Sequence, residues 1–171
     1  MCGIAGIVGR EGMPPSRALL GRMVDSIRYR GPDASGTWLD DDGAAGLAHA
    51  RLSIIDLATG DQPMLSADGS LAIVFNGEIF NYVELRAELV RKGRRFATGS
   101  DTEVILQMYE EEGEDCVTRF NGDWAFAIWD ARRRRLLLSR DLVGVRPLFY
   151  ARTASAFVFA SEVKALLCHR G

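Results

Sequence analysis

The sequence predicts a single domain that mixes β-strands with a smaller number of helices, on three observations. Its 171 residues suit one domain with a substantial buried core. Short apolar runs such as Leu71-Ala72-Ile73-Val74-Phe75 and Trp124 to Trp129 have the length of strands buried on both faces. Between them lie segments with apolar residues at helical spacing, opened by Ser or Asn and closed by Gly. Apolar residues make up 47% of the chain, charged residues 26%, and the formal net charge is -2. This composition carries no broad basic field for nucleic acid, and no apolar run approaches a membrane span. The N-terminus lacks the basic and apolar regions of a signal peptide. Three cysteines (Cys2, Cys116, Cys168) and two histidines (His49, His169) have no metal-ligand spacing, so a reduced cytoplasmic setting without disulfides or bound metal is expected.

Taken in order, Cys2 to Val8 reads as a buried strand whose glycines do not make a dinucleotide-binding loop. Pro14, Pro15 and Ser16 introduce a helix with Leu19, Leu20, Met23, Val24 and Ile27 on one face, ended near Arg30-Gly31-Pro32-Asp33. Trp38 and Leu39 end a short strand, and Asp40, Asp41, Asp42 and Gly43 read as an exposed turn. Leu47 to Ile55 is the next strand, with His49, Arg51 and Ser53 alternating onto one face, which suits either an exposed edge or a polar cleft. The strand Leu71 to Phe75 runs straight into Asn76-Gly77-Glu78. Asn81 with Glu84, and Ser100 with Glu103, have the spacing of capping boxes opening two helices, which Gly93 and Gly113 close. Asp101 falls in the first turn of the second, where a carboxylate is favoured. Arg132 to Arg135 form a basic hairpin tip before Leu136-Leu137-Leu138, without the interleaved aromatics of an RNA-binding surface. Leu148-Phe149-Tyr150 and Phe157-Val158-Phe159 form a last hairpin, and Ser161 opens a short helix.

Chemistry concentrates at the first residues. With Met1 removed, Cys2 carries a thiol and a free α-amine, whose ordinary pKa values of about 8.5 and 7.7–8.0 let one activate the other near neutral pH. Attack on a carboxamide also needs oxyanion donors and a means of orienting the substrate. Asn76 and Gly77 can supply two donors. Arg51 and Asp101, held apart, suit the α-carboxylate and α-amine of a free amino acid. Each of these residues also has an ordinary structural role open to it: a strand start, a turn, an ion pair, a helix cap.

Nine segments in order resemble one family. They are Met1-Cys2-Gly3-Ile4; Tyr29-Arg30-Gly31-Pro32-Asp33 with Ser35-Gly36; and Ala48 to Asp56, which contains Arg51-Leu52-Ser53-Ile54-Ile55. Gln62-Pro63-Met64, Asn76 to Asn81 and Thr98-Gly99-Ser100-Asp101 continue it. Ala125 to Asp130, Ser139-Arg140-Asp141 and Gly144 to Tyr150 close it. The chain resembles the glutaminase domain of class II, N-terminal-cysteine glutamine amidotransferases, within them the asparagine synthetase branch, over residues 1–171. The resemblance implies the α+β class and a four-layer αββα sandwich of two mainly antiparallel sheets. It implies Cys2 as nucleophile, its amine as base, and the Asn76 side chain with the Gly77 N–H as the oxyanion hole. It implies Arg51 on the glutamine α-carboxylate, Asp101 and Glu78 on the amine side, and backbone of Ile54 and Ile55 along the pocket, with Arg30 and Asp33 ordering the loop near the cysteine. Glutamine is then hydrolysed through a thioester, and the ammonia passes to a synthetase domain or subunit. ATP and Mg belong to that second part, whose Ser-Gly-Gly-x-Asp-Ser loop does not occur here; no cofactor is expected in this chain, and a homodimer is compatible. Asn121-Gly122-Asp123-Trp124 stands where the family more usually has Gly-Met-Phe, which leaves the final acceptor open. A free-standing amide hydrolase and a catalytically silent docking domain are the other two readings.

Overall fold

The computed structural model describes residues 1–10, 13–52 and 60–169. Two antiparallel sheets lie face to face. One contains β1 (Gly3–Gly9), β2 (Ala34–Leu39), β3 (Ala45–Arg51), β8 (Phe149–Arg152) and β9 (Ala156–Ala160) in the order β2-β3-β1-β9-β8. The other contains β4 (Met64–Leu65), β5 (Leu71–Ile79), β6 (Gly122–Asp130) and β7 (Arg135–Arg140) in sequence order. Helices α1 (Arg17–Ser26) and α4 (Val163–Leu166) cover the first sheet, and α2 (Tyr82–Arg91) and α3 (Asp101–Glu112) the second. The four-layer αββα arrangement implied by the resemblance is therefore present.

The period-2 alternation of the strands sorts their residues into three cores. Ile4 of β1, Ala45 and Leu47 of β3, Ala72 and Val74 of β5, Ala125, Ala127 and Trp129 of β6, and Phe159 of β9 meet between the sheets. Their neighbours one residue along, such as Ala5, Ile7, Ala48 and Val158, face α1 and α4. Ile73, Phe75, Phe126 and Ile128 face α2 and α3. Small residues dominate the inter-sheet layer because it must also hold two large rings. Phe159 lies over Gly6, where a Cβ would come within 2.3 Å of the ring.

Several local readings change with tertiary context. Asn76 and Gly77 are not a turn: β5 continues through them to Ile79, paired with β6 (Asn76 opposite Ala125, Gly77 opposite Trp124). Asn81 precedes α2 but does not cap it; its side chain instead accepts from Asn121 N at 2.9 Å and donates to Arg119 O at 3.0 Å. Ser100 does cap α3, accepting from Thr102 N at 3.1 Å. Glu103 does not close that capping box: it accepts from the N–H groups of Ala97 (2.8 Å) and Thr98 (2.7 Å) in the preceding loop. Asp40 is buried rather than solvated, taking hydrogen bonds from Trp129 Nε1 (3.0 Å) and Ala44 N (3.2 Å). Ser161 does not open α4; it sits fully buried and holds both backbone groups of Ile4, its Oγ accepting at 3.0 Å and its N–H donating to Ile4 O at 2.8 Å. At the basic hairpin tip each arginine meets a carboxylate: Arg132 with Asp68, Arg133 with Asp130, Arg134 with Asp42 and Arg135 with Glu114.

Candidate active site

The same alternation assembles the site. Even positions of β1 and β5, and odd positions of β3 and β6, face the inter-sheet layer. At one end of that layer the apolar series gives way to Cys2, His49, Arg51, Asn76 and Glu78. Gly3 pairs with Ala50 and Ile4 with His49, so Cys2 sits across from Arg51 at the end of the β1–β3 ladder. These side chains, with Asp101 from the start of α3, line a cavity of about 200 Å³ that Gly77 and Arg146 also border.

The Cys2 Sγ is half-buried, 3.4 Å from Leu52 N and 3.6 Å from Leu52 O. Burial pushes the thiol above its ordinary value; the Leu52 N–H, the Met1 α-amine, Arg51 and Arg146 pull the other way. The Cys2 carbonyl accepts from Arg30 Nε at 3.0 Å, and Arg30 is fixed in turn by Glu162 at 2.8 Å. Arg30 thus contacts the backbone of Cys2 itself. Asp33 lies one strand away, its backbone N–H donating to Arg51 O at 3.1 Å.

Asn76 is 1% exposed, and its Nδ2 has no hydrogen-bond partner among the described residues. A buried amide donor left unpaired costs free energy, and here it stands in the wall of the cavity that holds the thiol. Gly77 is required next to it by close packing, since a Cβ would fall 2.1 Å from Asp123 O. Arg51 is buried and pairs at 2.6 Å with the exposed carboxylate of Asp61. Asp101 is also buried; its Oδ2 accepts from Ile79 N at 3.1 Å, yet burial, with Glu78 nearby, holds its pKa up at about 6. Glu78 is exposed at the rim. Cys2, Arg51, Asn76, Gly77, Glu78 and Asp101 therefore come together; Ser53, Ile54 and Ile55 lie outside the described residues.

Three contributors carried little or no signal. Gln62 braces the site: its Oε1 accepts from Phe75 N at 2.6 Å and its Nε2 donates to Thr102 Oγ1 at 3.3 Å, tying the strand before Asn76 to the helix that begins at Asp101. His49 is fully buried, with Nε2 on Phe75 O at 3.1 Å and Nδ1 unpartnered; burial lowers its pKa to about 4, so it is neutral at pH 7. Its place on the Arg51 face was visible from alternation. Arg146 arrives from a loop, where no periodicity could announce it. Among the described residues no cluster of His, Cys, Asp and Glu is suited to a metal ion, and no helix is long and apolar enough to cross a membrane.

The sequence of the glutamine amidotransferase domain family matches residues 1–171. Glutamine-hydrolyzing asparagine synthetase 3 of Bacillus subtilis is 42% identical over 172 residues, which are 99% of this chain and 28% of that protein. A putative glutamine-hydrolyzing asparagine synthetase 2 of Methanocaldococcus jannaschii is 40% identical, over 98% of this chain and 35% of that protein. The chain thus spans only about a third or less of these relatives. Among solved structures, the glutamine phosphoribosylpyrophosphate amidotransferase of B. subtilis, complexed with ADP and GMP, superposes with a TM-score of 0.80 over 98% of this chain and 43% of that one. At 22% identity that likeness concerns the fold. With the family match over the whole of residues 1–171, relatives at 40–42% identity and a shared fold converging, this chain belongs to the glutamine amidotransferase domain family, homologous to the corresponding segment of glutamine-hydrolysing asparagine synthetases.

Proposed function

We propose that the domain hydrolyses free glutamine to glutamate and ammonia, and that the ammonia serves ATP-dependent asparagine synthesis by a synthetase domain or subunit. The observation that carries the first half is the unpaired, buried Asn76 Nδ2 in the wall beside Cys2. Cys2 Sγ attacks the carboxamide carbon, and the oxyanion that develops is received by Asn76 Nδ2 and Gly77 N. The α-amine of Cys2 takes the thiol proton and returns it to the departing nitrogen, which leaves as ammonia. Water then cleaves the thioester and glutamate departs. Arg51 exchanges Asp61 for the substrate α-carboxylate, and Asp101 with Glu78 receives the α-ammonium. A carboxylate raised by burial and a like charge recovers its ionised form when a cation arrives, so Asp101 favours an amino acid over a bare amide.

With Met1 in place the Cys2 nitrogen is an amide and has no basicity at pH 7; general-base assistance is worth about 10²–10⁴-fold. Glutaminase activity, followed as glutamate release, is therefore expected to track the fraction of molecules that begin at Cys2 by mass spectrometry. Full, Cys2-dependent activity in a homogeneous Met1-retaining sample would overturn the mechanism. The synthetase partner supplies ATP and Mg chemistry in this reading, and the setting is cytoplasmic. Leu142 and Val143 are fully or almost fully exposed, with Val145, Phe149 and Tyr150 exposed beside them in sequence. We assign this segment to the partner contact; the nearby aromatics Trp124, Trp129 and Phe159 belong to the cores instead.

A further inference from the structure

Asp123 lies within the stretch Asn121-Gly122-Asp123-Trp124, and the structure gives its carboxylate a specific setting. It lies directly opposite Glu78 in the β5–β6 ladder, so the two carboxylates project from one face, the face that carries Asn76. Like charges placed so are unfavourable. Arg146 relieves this: its Nε and Nη2 donate to the same Asp123 oxygen at 3.0 and 2.9 Å, while its side chain lines the cavity with Cys2. The loop that delivers Arg146 is tightly braced. Asp141, itself buried, accepts from Val145 N (2.9 Å) and Arg146 N (3.1 Å), its own N–H donates to Trp124 O (2.9 Å), and Arg140 Nε holds Arg146 O at 2.7 Å. A surface ion pair needs no such scaffold. This one fixes a guanidinium at the wall of a cavity that contains a thiol.

We propose that Arg146 and Asp123 form a charge-compensated pair that sets the reactivity of the Cys2 thiol, Arg146 favouring the thiolate and Asp123 limiting that effect. The other charges around the thiol are accounted for. Arg30 is paired with Glu162 and Arg51 with Asp61. Glu78 and Asp101 line the same cavity, Asp33 immediately precedes β2, the strand next to β3, and His49 is neutral at pH 7. The N-terminal amine and Arg146 remain as the cationic groups that removal of one partner would change most. Arg146 is also among the groups that draw the thiol down against burial.

The proposal rests on Cys2 as the nucleophile but needs no turnover for its test. The rate of Cys2 alkylation by iodoacetamide is measured from pH 6 to 10 on protein beginning at Cys2, with peptide mass spectrometry separating Cys2 from Cys116 and Cys168. Arg146→Met leaves Asp123 uncompensated and is expected to move the alkylation midpoint up, with about tenfold slower reaction at pH 7. Asp123→Asn leaves Arg146 uncompensated and is expected to move it down by a similar factor. The double variant returns close to the parent, and Arg146→Lys, which keeps the charge and loses the fork, stays near it. Merely structural residues would not shift the midpoint in opposite directions. Single variants that move it the same way, or leave it in place, overturn the proposal. If Arg146→Met does not fold, Arg146→Lys and Asp123→Asn decide alone: a parental midpoint in the second refutes it. Parent protein beginning at Cys2 that shows these midpoints yet releases no glutamate from glutamine would instead refute the reading of the reaction.

Discussion

Asp101→Asn separates what the site needs from what the fold prefers. Asp101 is 3% exposed, and its carboxyl is raised from an ordinary 3.8 to about 6, chiefly by burial. The folded chain therefore keeps a proton between pH 4 and 6 that the unfolded chain releases, so stability falls as pH rises through that window and levels off above it. The loss amounts to about 3 kcal/mol, at 1.36 kcal/mol for each tenfold change in proton affinity. Asparagine removes the charge yet keeps an oxygen that can accept from Ile79 N. The variant is thus expected to be more stable than the parent at pH 7, by about 1–3 kcal/mol, and equal to it near pH 4. Catalysis should move the other way. Loss of a charge-assisted contact to the substrate ammonium lowers kcat/KM by roughly ten- to hundred-fold. The parent's own kcat/KM should fall as pH drops below about 6 and Asp101 protonates. Urea unfolding at pH 4, 5 and 7, with glutamate release on the same samples, tests both halves. A variant that turns over glutamine like the parent, or a parent whose stability is flat from pH 4 to 6, would refute the reasoning.

Asn76→Ala should reduce kcat by about 10²–10³-fold with an unchanged circular dichroism spectrum, because Nδ2 holds no part of the fold in place; a loss confined to KM would argue against an oxyanion role. Gly77→Ala should fail to fold or lose several kcal/mol, about the scale of overpacking a rigid site, since its methyl group meets the β6 backbone; a soluble, stable variant would contradict the packing. Ser161→Ala leaves Ile4 N buried without its hydroxyl partner and should cost about 1–3 kcal/mol in urea unfolding. Its effect on activity should exceed that of an equally destabilising change in α2, because β1 begins directly after Cys2, the proposed nucleophile.

The strands and most helix starts were legible because each is written locally. Trp124 to Trp129 is apolar on both faces, and both faces of that stretch of β6 are buried. Ser16 and Ser100 cap the helices they precede. Misreadings arose where a local pattern has a distant competitor. Asn81 with Glu84 has the spacing of a capping box, but a backbone N–H forty residues away claims the asparagine. Asp40 heads an acidic triplet, but the indole N–H of Trp129 draws it inside. The residue types of the active site were readable and their convergence was not. What brings Cys2 to Asn76 is the shared inward parity of β1, β3 and β5, and parity becomes spatial only once registers such as Ala5 opposite Ala160 are set. The family resemblance supplied that link; alternation within single strands could not.

The place of β1 in its sheet also orders events in time. It lies between β3 and β9, and the seat of Cys2 is completed by Ser161 on Ile4 and by Glu162 through Arg30. A ribosome adds about 5–20 residues per second, so roughly ten to thirty seconds separate synthesis of the nucleophile from synthesis of its last support. Throughout that interval one edge of β1 has nothing to pair with, and the leading methionine is open to an aminopeptidase. The topology therefore places the last supports of the Cys2 seat among the last residues of the domain to be made.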